Sequence, residues 1–261
     1  MLRFTLYITL ILFSIPCFSQ VEQPSDVRVV TGNEKSYAAL LNSNGWGLNY
    51  RYGKRLDGFR KRIFDIDFSY IKHPKEIKTQ NPYYENQRRF VFGKLNSMFA
   101  LRGGIGLQKE IYSKFDKGGV AIKFFYGGGF TLAMLKPVYY QVVDSSSVSG
   151  NERYLYLSDK QFDKSTIHSV DDIYSRSSFF KGIGESKFKP GIYLKLGLSF
   201  VYSNVYNALK AIEAGVIVDG FYSDVPIMAT EENSQVFVSL FVSFRFGKVG
   251  IKNKKTFTPD E

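Results

Sequence analysis

One cysteine, one tryptophan, two histidines and eight prolines are all that the 261-residue chain contains of these four types. The cysteine, Cys17, falls within the first twenty residues, so the remainder has neither disulfide staples nor thiol chemistry. His73 and His168 stand without flanking ligand clusters, which leaves no basis for a zinc centre. The glycine-rich stretches "GGIG" and "YGGGF" open no helix, so a phosphate-binding loop is not indicated either, and no cofactor is expected. Beyond residue 20 nothing approaches the roughly 18 consecutive apolar residues of a membrane-spanning helix. Acidic residues are also scarce, 24 against 35 lysines and arginines, giving a formal charge of +11.

The first twenty residues, "MLRFTLYITLILFSIPCFSQ", combine Arg3, an apolar run from Phe4 to Phe13, a break at Pro16 and small residues at the end. This is the pattern of a secretory signal peptide over residues 1–19, cut after Ser19. A lipid anchor on Cys17 is the competing reading, disfavoured by Pro16 in the position before it. For an exported chain of this charge, outer-membrane lipids, lipopolysaccharide or an acidic protein are the expected counterparts. No nucleic-acid motif is present, and no nucleic-acid partner is expected.

What the chain has in quantity is alternation. In "GWGLNYRY" Trp46, Leu48, Tyr50 and Tyr52 oppose Gly47, Asn49 and Arg51, and in "FDIDFSY" Phe64, Ile66, Phe68 and Tyr70 oppose Asp65, Asp67 and Ser69. The same period of two runs through "FALRGGIGLQKEI", "VAIKFFYGGGFTLAM", "FKPGIYLKLGLSFVY" and residues 206–221. In "QVFVSLFVSFRFGK" every even position from Val236 to Phe246 is large and apolar. Strands of roughly 12 to 18 residues exceed the five or six usual in a soluble sandwich. The opposite face carries Gly, Ser, Ala and charges of both signs, as in the crowded interior of a narrow barrel. The predicted fold is all-β: an eight-stranded antiparallel transmembrane β-barrel over residues 36–248, its apolar face toward lipid.

Residues 20–35 read as a flexible lead-in, and residues 249–261 as a basic periplasmic tail. An even strand number puts both chain ends on one side with the short turns, and the long connections on the other. The longest connection, about residues 136–187, is expected to be an extracellular loop. Two arrangements of the first four strands satisfy the parity. Either "NSNG" is a hairpin and 88–112 one very long strand, or 36–53 is one strand and a turn falls near "GKLN". They place the basic turn "GKRLDGFRKR" on opposite sides of the membrane.

The inward-facing charges predicted from the alternation are Arg51, Asp65, Asp67, Arg102, Glu110, Lys123, Lys195, Glu213, Asp219 and Arg245. Eight strands enclose a lumen that side chains fill, and buried charges must be paired, so these are expected to form a structural network. A polar path for a small solute is the alternative. In "STIHSVDD", His168 stands beside Ser169, Asp171 and Asp172, the one local combination of nucleophile, base and acid, which makes a rim-located hydrolase a third reading. Lys248, Lys252, Lys254 and Lys255 are candidate contacts to an acidic partner or a lipid leaflet.

The signal ending "CFSQ", the stretches "NSNGWGLNYRYGK", "HPKEIK" and "FGKLNSMFALRGGIGLQKEI", and "LKPVYY" before the long connection resemble an outer-membrane β-barrel family of Bacteroidota, PorT-like in character. The resemblance extends over most of residues 36–248. It implies location and fold, brings no catalytic residues with it, and by analogy implies a fixed accessory subunit of type IX secretion or barrel-assembly machinery. No enzymatic activity is expected on this reading.

Overall fold

The computed structural model describes residues 32–250 apart from 85–86, 115–118, 149–151, 166, 204–207 and 230–232. The expected signal peptide, residues 20–31 of the lead-in, and Lys252, Lys254 and Lys255 lie outside the described residues.

Thirteen strands are described: β1 (Glu34–Asn42), β2 (Gly45–Arg55), β3 (Arg60–Ile71), β4 (Lys78–Thr79), β5 (Phe90–Val91), β6 (Asn96–Tyr112), β7 (Ala121–Pro137), β8 (Tyr139–Val148), β9 (Glu152–Gln161), β10 (Ile173–Arg176), β11 (Lys187–Val201), β12 (Ala208–Phe221) and β13 (Val236–Val249). Eight of them close into an antiparallel barrel in the order β1-β13-β12-β11-β7-β6-β3-β2. The seam is continuous from Glu34 opposite Val249 to Asn42 opposite Phe241, so the wall has no free edge.

The ambiguity in the first strands is resolved by the pairing of Asn42 with Gly45, which makes Ser43–Asn44 a two-residue hairpin. Residues 88–112 are nevertheless not one strand. The wall begins at Asn96, and before it a turn at Gly93, whose φ of 75° suits glycine, leads back to β5. The turn near "GKLN" therefore exists, but it joins the wall to the cap, not one barrel strand to the next. The basic turn lies at the rim that also carries both ends of the barrel. There Asp57 Oδ1 accepts from the amides of Phe59 (2.9 Å) and Arg60 (2.7 Å), which closes the β2–β3 connection.

The long connection after β7, expected as an extracellular loop, has strands of its own. It folds into a three-stranded sheet, order β10-β8-β9, and with residues 72–95 it caps the opposite rim. This cap has its own core, in which Phe90, Val138, Tyr140, Val142, Phe162, Ile167 and Ile173 are buried. The Tyr140 hydroxyl shares its one proton between the carbonyls of Val91 (2.7 Å) and Lys94 (2.8 Å) and accepts from the Lys94 amide, tying β8 to the Gly93 turn. Burial holds that hydroxyl above the usual tyrosine range.

Along the wall, outward positions are apolar and exposed: Leu194, Leu196 and Leu198 on β11, and Val236 through Phe246 at even numbers on β13. The inward positions are more apolar than a polar lumen predicts. Leu40, Ile63, Phe125, Tyr193, Ile217 and Phe241 form one inner cluster. Near the cap, residues of the β12–β13 connection, Val225, Ile227 and Met228, pack against Ile71, Met98, Leu135 and Phe237. Glycine makes room for these rings. A Cβ on Gly197 would come within 2.9 Å of the Phe125 ring, and one on Gly215 equally close to Phe241.

Candidate functional site

The alternation sends nine of the ten predicted charges to buried inward positions, and Glu110 to a half-buried one near the rim of the chain ends. They are brought together across the barrel in three groups. In the first, the Arg51 guanidinium donates to both oxygens of Asp65 (2.7 and 3.1 Å) and to Glu213 Oε1 (2.8 Å). Arg245 reaches the other oxygen of Glu213 at 3.0 Å and also donates to Asn49 Oδ1 (2.6 Å) and Ser36 Oγ (2.9 Å). Asn49 passes the chain on to Asp67 (2.8 Å), which also accepts from Lys195 at 3.2 Å on each oxygen. The second group is a fork-to-fork pair of Arg102 with Asp219, 2.7 Å at both contacts, with Ser69 accepting from the remaining guanidinium nitrogen at 2.9 Å.

The third group lies toward the chain ends. Lys123 sits 3.9 Å from Glu34 and 3.8 Å from Glu110, and Lys61 is hydrogen-bonded to Glu34. Glu34 and Lys61 were not among the predicted residues. Lys61 continues the parity of Asp65 and Asp67, and Glu34 lies ahead of the predicted start of the barrel. Asn49, Ser36 and Ser69 were missed as partners because they carry no charge, although they share the inward parity. With these two additions, the lumen holds Arg51, Lys61, Arg102, Lys123, Lys195 and Arg245 against Glu34, Asp65, Asp67, Glu110, Glu213 and Asp219. Six cations face six carboxylates. The arrangement is balanced in charge and uses most of its hydrogen-bonding capacity internally; among the described residues, the buried inward atoms without a hydrogen bond are Arg245 Nε, Thr131 Oγ1 and Ser239 Oγ.

Against known proteins, no family model matches the chain and no curated protein matches it. Among solved structures, it is similar to the attachment invasion locus protein Ail of Yersinia pestis, at 10% identity over 84% of this chain and 99% of that one, with a TM-score of 0.38. It is similar also to Neisserial surface protein A (13% identity, 84% and 96% covered, TM-score 0.36) and to the N-terminal β-barrel domain of Pseudomonas aeruginosa OprF (8%, 84% and 98%, TM-score 0.33). The closed barrel of this chain rests on its own strand pairing.

Among the described residues, no hydrogen bond joins the His168 imidazole to Ser169, Asp171 or Asp172. Asp172 Oδ2 accepts from the backbone amides of His168 (2.8 Å) and Ser169 (2.9 Å), so it caps a short 3₁₀ turn and does not orient the imidazole. Those two amides hold its carboxyl below the usual aspartate range. The segment is better supported than an open loop, because Ile167 is buried in the cap core. Lys248 lies within β13, exposed on the outward side at the rim of the chain ends, not in a tail.

Proposed function

We propose that the protein spans an outer membrane as a closed, filled barrel and serves there as a structural or accessory subunit of a membrane complex, working at its rims and wall and not through its lumen. The observation that carries this reading is the contrast between the two faces of one wall: apolar and exposed outside, charge-balanced and packed inside. On β13 the outward run from Val236 to Phe246 covers ten residue steps. At a strand rise of about 3.4 Å and a tilt of about 40°, it spans roughly 25 Å, the height of the apolar band of an outer-membrane barrel. Water is the wrong solvent for such a surface, and a patch this large on a soluble chain is an aggregation hazard.

A solute path would have to cross both the ion-pair groups and the cluster of Phe125, Tyr193 and Phe241, so the channel reading has little support. The accessory reading is favoured by the cap. Its strand β9 has one unpaired edge, and Leu155, Tyr156 and Leu157 on it are exposed. The resemblance to PorT-like barrels directs the choice of partner toward secretion or assembly machinery. Three measurements test the proposal. The folded protein is expected to migrate differently on gels before and after boiling, to give no discrete conductance in planar bilayers, and to co-purify with a defined membrane partner in mild detergent. Release from membranes by salt alone would refute the spanning barrel. A stable unit conductance would refute the filled lumen.

A further inference from the structure

Beneath the cap, at the rim remote from the chain ends, is a cavity of about 350 Å³ that lies outside the lumen network and is bordered by Phe90, Val138 and Tyr140 of the cap core. Its floor is aromatic. Trp46, Tyr70 and Phe99 stand opposite one another on β2, β3 and β6, at outward positions, and form the uppermost ring row of the outer wall on that side. Directly below them in the same register are Leu48, Phe68 and Leu101, also outward and exposed. The Phe68 and Phe99 rings are stacked at 6.0 Å, so the floor of the cavity continues into the apolar belt without a break.

The roof and sides are cationic. Lys72, Lys78, Arg89, Lys94 and Arg176 line the cavity, against one carboxylate, Glu76. Glu76 is already engaged by Lys94 at 2.6 Å, and Lys94 also donates to the Tyr70 hydroxyl at 3.1 Å. Among the described residues Lys72, Lys78, Arg89 and Arg176 form no ion pair. Two of them lie against rings instead, Lys72 at 5.8 Å from Tyr70 and Arg176 at 5.9 Å from Phe179. Four cations with no ion pair among the described residues, gathered around one concave site, create a strong local attraction for an anion. In the lumen, by contrast, each cation has its carboxylate.

We propose that this cavity binds the phosphorylated headgroup of a membrane lipid. Phosphate oxygens would be held by Lys72, Lys78, Arg89 and Arg176, while the attached apolar chain runs down the wall over Phe99, Phe68 and Leu101. A free phosphate would use only the cations. The aromatic floor, and its continuity with the belt, favour an amphiphile whose charged end and apolar end are both satisfied at the place where the belt stops. The proposal rests on the membrane-spanning reading above, since only a barrel in a bilayer brings a lipid headgroup to this height.

The chain's one tryptophan lines the cavity, which makes the test direct. The full-length protein is folded in neutral-detergent micelles, its heat-modifiability is checked, and Trp46 emission is followed on titration. The ligands are a phosphorylated glycolipid, its dephosphorylated form, and inorganic phosphate. A saturable change with the phosphorylated lipid is expected, with half-saturation at least tenfold lower than for inorganic phosphate and no comparable response to the dephosphorylated lipid. The triple variant Lys72→Gln, Lys78→Gln, Arg89→Gln should fold normally and bind at least tenfold more weakly. Lys109→Gln with Lys210→Gln, exposed positions toward the other rim, should bind as the parent does. Equal responses to both lipid forms would overturn the phosphate site, and equal affinity for inorganic phosphate would overturn the lipid assignment. A folded, heat-modifiable protein with no Trp46 response overturns this proposal alone; failure of the parent to fold in micelles overturns the barrel reading with it.

Discussion

Among the described residues, six cations meet six carboxylates in the lumen, where the Arg51 and Arg102 forks are closed on Asp65 and Asp219; in the cavity under the cap five cations meet one carboxylate, itself engaged. The residue types are the same, and the difference lies in saturation. A lumen sealed from water cannot leave a charge unmatched, because the desolvation cost of an unpaired ion exceeds what a marginally stable fold can absorb. A rim site half open to solvent can, because water screens its cations until a ligand displaces it. Saturated charge therefore marks structure here, and unsaturated charge marks recognition.

The largest way to break the comparison is to unbalance the lumen. Glu213→Gln leaves Arg51 and Arg245 with one carboxylate fewer between them, and an expected loss of about 3–5 kcal/mol should appear in the urea midpoint of the bilayer-folded protein. At the Arg102–Asp219 fork, Asp219→Leu alone should cost about as much. Adding Arg102→Leu should recover most of it, since two apolar groups leave no orphan charge. A cycle with no coupling between the two positions would contradict the saturated-lumen view.

A charge placed on the outer face comes next. Leu240→Arg, in the middle of the β13 belt, is expected to destabilise by about 2–4 kcal/mol in a bilayer, and by much less if that face were wet. The cap supplies a smaller effect. Asp172 has a carboxyl held below its usual range, so its contribution is complete above the unfolded aspartate value near pH 4 and is lost as pH falls through the lower folded value. Asp172→Asn should weaken the turn by about 1 kcal/mol or less, and amide exchange at residues 168–173 should speed up in the variant at neutral pH as it does in the parent in acid. The smallest expected effect sharpens the comparison most. Lys72→Gln, Lys78→Gln and Arg89→Gln should each leave stability within about 0.5 kcal/mol, because no ion pair among the described residues is broken, while the three together weaken binding at least tenfold.

Much of this molecule was legible before any coordinates. The even-numbered apolar face of residues 236–246, the inward parity of Arg51, Asp65 and Asp67, and the strand number all follow from period two together with the parity of long and short connections. Where the reading fell short, the local signal was weak. Strand β8, "YYQVVDSSSV", turns polar after its first half, so the cap sheet looked like loop. Glu34 precedes the strand start that alternation suggested. Inward Phe125, Tyr193 and Phe241 showed that an inward position need not be polar, because neighbouring glycines make space for a ring.

Sequence by itself determined which side each residue of the wall would face, for the pleat of a strand makes that a property of the nearest neighbours. Only the tertiary structure decided who meets whom. Arg51 and Glu213 are 162 positions apart, and the cations of the rim cavity come from the β3–β6 connection and from β10. Closure and register bring such groups within hydrogen-bond reach, and these depend on the pairing of every strand at once, which no local pattern contains.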